Sequence, residues 1–143
     1  MQAAGRHLHD AEVLLARHRW DNAVYLAGYV VECTFKVLVE QCIDNKDCQK
    51  FGHNLTELEG QSIERLRIIY PILDSQLSIS RTNGTVLTDY HPQRRYFRSG
   101  LWNEKQATEA VERAAEIYNE IIPRLILDGR ISISNSHSYE VHL

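Results

Sequence analysis

An all-α protein, folded as an up-and-down antiparallel bundle of four main helices plus a short helix, is what this sequence predicts, on three observations. Apolar residues recur at three and four residue steps in every long segment. The junction between the first two segments is too short for anything but an antiparallel turn. Capping signals stand where helices should begin. The chain has 143 residues and is 43% hydrophobic, enough for one core without disulfide staples.

The first helix is predicted over Gln2 to His18, with Leu8, Ala11, Leu14, Leu15 and His18 on one side. The second runs from Asp21 to about Asp44 or Asn45. Its stripe is Ala23, Leu26, Ala27, Val30, Val31, Thr34, Val37 and Leu38, with Tyr25, Tyr29, Glu32 and Lys36 beside it. Asp21 suits an N-cap, and Trp20 suits a staple onto Tyr25. The polar run DNKDCQKFGHN follows, and Gly52 offers a break. Asn54 with Glu57 then resembles a capping box for a short helix, TELEG.

Ser62 can cap a further helix holding Ile63, Leu66, Ile69, Tyr70, Leu73 and Leu77, with Pro71 kinking or restarting it. The stretch from Ser78 to Trp102 is longer than an ordinary bundle connection. Asn83-Gly84 within it fits either a short hairpin or an irregular loop. Asn103 with Gln106 opens the last helix, which reaches about Leu127, and Gly129 is placed to end it. Two regions result: a bundle over 1–127 and a polar C-terminal tail over 128–143.

Net charge of −3 excludes a protein that coats nucleic acid through bulk charge, so any such contact must be local. Three cysteines, Cys33, Cys42 and Cys48, are an odd number with no CxxC spacing, which favours a reducing compartment over a disulfide framework. No apolar run is long enough to span a bilayer, and MQAAGRHLHD lacks the apolar core of a signal peptide. A cytoplasmic location is expected.

The local positive feature is His91, Arg94, Arg95 and Arg98, interleaved with Tyr90, Tyr96 and Phe97, with no acidic residue from His91 to Ser99. Two roles fit. Arginine forks and aromatic rings suit phosphate and base contact; equally, one arginine can pair with Glu32 while Tyr96 and Phe97 anchor the loop. Glu32 and Lys36 share a helix face, either as a surface ion pair or with Glu32 turned into a cleft to orient an arginine. His53 heads HNLTEL, where histidine serves as a cap or as an acid or base near neutrality. His7 and His9 point about 200° apart on a helix, so with Asp10 they make no chelate, and no metal site is expected.

The segment AxYLAGYVVECxxK after LLARHR, with the HNLTEL segment behind it, resembles the opening hairpin of HEPN domains. That resemblance implies an all-helical bundle, frequent homodimers, no cofactor, and a role with RNA or a nucleotide. It also implies a defence or toxin–antitoxin setting, often with a nucleotidyltransferase as the protein partner. Binding would fall to Arg94, Arg95, Tyr96 and Arg98, with Glu32 and Lys36 beside them. Ribonuclease relatives carry an arginine and a following histidine near the start of the last helix. No histidine lies between Arg94 and Leu127. Arg130 and His137 have a fitting spacing but stand in the tail, poor scaffolding for catalysis. A metal-independent endoribonuclease would therefore need His53 with Arg94 or Arg95, and a noncatalytic dimeric interaction module is the other alternative.

Overall fold

The computed structural model describes residues 2–42, 53–69, 82, 84–89, 91–96, 100–128, 131–133 and 139–141. Among the described residues four helices make the bundle: α1 (Gln2–Ala16), α2 (Trp20–Cys42), α3 (Leu55–Ile69) and α4 (Glu104–Leu127). A 3-10 turn, Gln93–Tyr96, precedes α4. The all-α expectation holds for the bundle.

Helix α2 lies at the centre and packs against α1, α3 and α4. Its buried residues Ala23, Val24, Ala27, Val30, Val31, Thr34 and Val37 include six of the eight predicted stripe residues, and the side chain of another, Leu38, lies outside the described residues. Leu26 is only half-buried. From α4 come Ala107, Ala110, Val111, Ala114, Ile117, Tyr118, Ile121, Ile122 and Leu125. Ala4, Ala11, Ala27, Ala107, Ala110 and Ala114 are fully enclosed, and residues this small allow helices to approach closely.

Several boundaries differ from the sequence reading. Helix α1 stops at Ala16, and His18 takes a left-handed conformation with φ 61°. The Arg19 amide then donates to the Leu14 carbonyl at 2.9 Å, which closes the helix end as a glycine would. His18 is thus exposed and packs on the Trp20 ring, with centroids 4.9 Å apart, instead of joining the core face.

The predicted short helix and the first part of the Ser62 helix are one element. Asn54 Oδ1 accepts from the Glu57 amide at 3.1 Å, as a cap should, and α3 then runs through Gly60 to Ile69. Ser62 caps nothing; its hydroxyl is buried and donates to the Phe35 carbonyl at 3.2 Å, binding α3 to α2. The readings placed on Tyr70, Pro71, Leu73 and Leu77 lie outside the described residues.

Among the described residues between α3 and α4 there is no strand: 84–89 form turns and bends before the 3-10 turn. Buried Glu59 ties this stretch to α3 by accepting from the Thr82 amide and hydroxyl at 3.1 and 3.2 Å. The Asn103–Gln106 capping box is present in full, with 2.8 and 3.0 Å bonds. Asp128 is the last cap residue; Gly129 lies outside the described residues.

Asp21 is not a cap on its own helix, because α2 already begins at Trp20. Its carboxylate reaches across to the run before α4 and accepts from three amides, Gly100 at 2.7 Å, Leu101 at 3.1 Å and Trp102 at 2.9 Å. Three successive N–H groups converging on one carboxylate use the same physics as a cap, applied between segments. Within the C-terminal segment Ile131–Ile133 (β1) and Tyr139–Val141 (β2) pair antiparallel, Ile131 opposite Val141.

Candidate functional site

The site forms where α2, the head of α3 and the loop before the 3-10 turn meet. Glu32 sits on α2 with its side chain only 5% exposed. Its Oε1 accepts from His53 Nδ1 at 2.7 Å and from His91 Nε2 at 3.1 Å. Its Oε2 faces Lys36 Nζ at 3.3 Å, one helical turn on. One carboxylate therefore collects three nitrogen donors from three segments of chain.

Burial acts to raise the Glu32 pKa, but the hydrogen bonds from His91 and His53 and the Lys36 charge overcome it and hold the carboxyl below its usual range. Glu32 is thus a carboxylate at neutral pH. His91, with its side chain 1% exposed, is also lowered, but here by burial itself: the bond to Glu32 opposes this, and the Arg94 charge adds to the lowering.

Arg94 completes the loop side of the centre. Nη1 donates to the carbonyls of Val86 and Asp89 at 2.9 and 3.0 Å, and Nη2 donates to the Val24 carbonyl of α2 at 3.0 Å. Nη2 also lies 3.4 Å from His91 Nδ1. A donor opposite Nδ1 makes that atom the acceptor and leaves the ring proton on Nε2, facing Glu32. Burial pulls the guanidinium down to about 10, still cationic at neutral pH.

Gly28 makes this approach possible. A Cβ built there would meet Arg94 Nη2 and lie 2.7 Å from His91 Nδ1, so only a glycine leaves room for both on the α2 surface. Tyr29, next to it, sets its ring edge-to-face against His91 and His53, with centroids 4.8 and 5.9 Å away.

His53 is the accessible member, with its side chain 51% exposed. It stands at the rim of a cleft of about 490 Å³ that takes in Asn54, Thr56, Thr88, His91 and Gln93, at the first turn of α3. Among the described residues that line this cleft none carries a carboxylate.

The sequence reading singled out Glu32, Lys36, His53 and Arg94, and the structure brings all four into this one neighbourhood. Arg94 faces inward, with both Nη atoms engaged, and so serves to hold the loop on α2 in this arrangement. The backbones of Arg95 and Tyr96 belong to the 3-10 turn, but their side chains, and the whole of Arg98, lie outside the described residues. Arg130 and His137 also lie outside them. His7 and His9 hold no common site: His7 is beside Tyr29, its pKa lowered by burial and by Arg6, and His9 is exposed. Sequence reasoning listed His91 only as part of a basic cluster and missed it as a neutral, buried partner of Glu32. Its separation from Glu32 is 59 residues, beyond any spacing rule.

The expectation of no metal site rested on spacing within one helix. Across segments, Glu32, His53 and His91 bring one carboxylate oxygen and two imidazole nitrogens within 4.8 Å of one another.

The chain is a small helical bundle whose long central helix presents a buried carboxylate to a histidine at the head of the next helix. The HEPN domain model matches residues 1–125, and the chain belongs to that family. Comparison with curated proteins and with solved structures gave no significant match. No described helix is long and apolar enough to cross a membrane.

Proposed function

We propose that this HEPN domain binds RNA or a nucleotide in the cleft between the head of α3 and the His91–Gln93 loop. The observation that carries this reading is the cleft's described lining: hydroxyl, amide and imidazole groups beside Leu55 and Pro92, no carboxylate among them, at the first turn of a 15-residue helix. The amino end of a helix carries partial positive charge and unpaired amides, which suits a phosphate. Arg95, Tyr96 and Arg98 follow in the adjoining segment, where they would extend the contact to further phosphates or bases.

A Thr56→Glu variant tests the reading. Thr56 is exposed on the cleft, and a glutamate in the first turn of a helix favours helix stability while opposing an anion. Labelled RNA and ATP should be retained by the wild type with a steep salt dependence, and retention should fall at least tenfold in the variant without loss of thermal stability. Equal retention by both proteins would sink the proposal.

A second reading, a metal-independent endoribonuclease, draws on one contact. His53 Nδ1 is held by Glu32 at 2.7 Å, which leaves Nε2 on the far side of a half-exposed ring to take a proton from a ribose 2′-hydroxyl. RNA cleavage in chelator, lost in His53→Ala, supports it. A homodimer and a nucleotidyltransferase-type partner in a toxin–antitoxin setting are proposed on the family's habit alone. Light scattering and co-purification test them, and a monomer that captures no such enzyme counts against both.

A further inference from the structure

Glu32, His53 and His91 invite a chemistry beyond hydrogen bonding. Their donor atoms come from three chain segments, yet both imidazoles aim at the same oxygen, Glu32 Oε1, at 2.7 and 3.1 Å. In a four-coordinate zinc site, ligands about 2.1 Å from the ion stand about 3.4 Å from each other. An ion would widen the contacts of 2.7 and 3.1 Å to about that separation and draw the two imidazole nitrogens, within 4.8 Å of each other, toward the same value. Two imidazoles and a carboxylate are the donor set of catalytic zinc and of non-haem iron sites, which keep further positions open.

We propose that Glu32 Oε1, His53 Nδ1 and His91 Nε2 bind a divalent transition-metal ion, with its remaining coordination positions open to the cleft that His53 and His91 line. The site does not depend on whether that cleft takes a nucleotide.

The surroundings predict how such an ion would be held. Lys36 fixes Oε2, so Glu32 would ligate through Oε1 alone. Metal on His53 Nδ1 sends the ring proton to Nε2, on the cleft side, at little cost. Metal on His91 Nε2 sends the proton to Nδ1, opposite Arg94 Nη2. That 3.4 Å contact is the longest of the four described for Arg94, and its three carbonyl bonds at 2.9 to 3.0 Å stay intact. Two cations, Lys36 and Arg94, flank the ion and oppose it. The site should be reversible rather than structural, and loading it would remove the His53 Nε2 lone pair needed for proton abstraction.

The test uses the full chain, stripped with chelator, with no nucleotide present. Zn²⁺ is followed by calorimetry and by the melting temperature, and Co²⁺ by its visible absorption. Wild type should bind one ion. His53→Gln, at a half-exposed position, should fold normally and lose binding at least tenfold. Lys36→Gln should do the opposite, tightening binding several-fold by removing a repelling charge and freeing Oε2. No metal-dependent change in the wild type overturns the proposal. So does undiminished binding by His53→Gln, which would assign the ion to the cysteines or other histidines. Retention of RNA is a separate assay with a separate variant, Thr56→Glu, so failure of one reading leaves the other standing.

Discussion

Arg94 reaches the main chain of α2 only because residue 28 is glycine: its Nη2 bonds to the Val24 carbonyl across a surface where a Gly28 Cβ would collide with the guanidinium and with His91. The pair links the turn of one helix to the position of a loop 66 residues further along the chain, since Gly28 and Arg94 stand at those numbers. Arg94 in turn decides which nitrogen of His91 carries the proton that Glu32 receives.

Helix propensity alone makes Gly28→Ala favourable by about 1 kcal/mol. The collision should reverse that sign, displacing Arg94 from up to three carbonyls and leaving them or the cation buried without partners, for a net loss of about 2 to 4 kcal/mol. Gly60→Ala is the control: nothing lies within 4 Å of a Cβ there, the site is exposed within α3, and a gain of up to about 1 kcal/mol is expected. Urea melts of the two variants should move in opposite directions; parallel shifts would show that Arg94 does not depend on Gly28.

Asp21 should be a sensitive acidic residue outside the site. Asp21→Ala strands three amides at once, Gly100, Leu101 and Trp102, and a loss of about 2 to 3 kcal/mol follows. Hydrogen exchange at those three amides should accelerate in the variant, and unchanged exchange would refute the contact.

Acid should weaken the metal-free protein in two stages, both in the same direction. His91 is held neutral in the fold, its pKa below the ordinary 6.5, so the unfolded chain takes up its proton first and stability begins to fall as pH drops through 6.5. Glu32 is held below its ordinary 4.5, so a further loss follows as pH falls below that value toward its folded one. Glu32→Gln should remove the lower stage. Stability flat from pH 7 to 4 in the wild type would contradict both assignments.

How much of this could be read from the chain varies with the range of the interactions involved. The stripes of α2 and α4 were plain because a helix states its buried face within a few turns, and so was the Asn103–Gln106 box, a contact over three residues. Asp21 and Ser62 show the limit. Each has a side chain that suits a cap, and each spends it on a distant partner, the amides of 100–102 and the Phe35 carbonyl. The site was half legible: Glu32, Lys36 and His53 stood in a recognisable pattern, and Arg94 in a basic cluster. That Arg94 would turn inward and His91 would join Glu32 depends on Gly28 and on a loop closure no local pattern encodes.

The Asp21 clasp has a further consequence, and it is one of timing. Its bonds join residues 79 to 81 apart, Arg94 joins Val24 over 70, and His91 joins Glu32 over 59, all of them landing on α2. The α1–α2 hairpin closes over three residues and can form early, whereas each of these three bridges must wait for a long loop to find its place. The candidate centre should therefore be assembled after that hairpin on folding. In the folded state, detaching this loop should cost less than global unfolding, so exchange at the site should report an opening of its own.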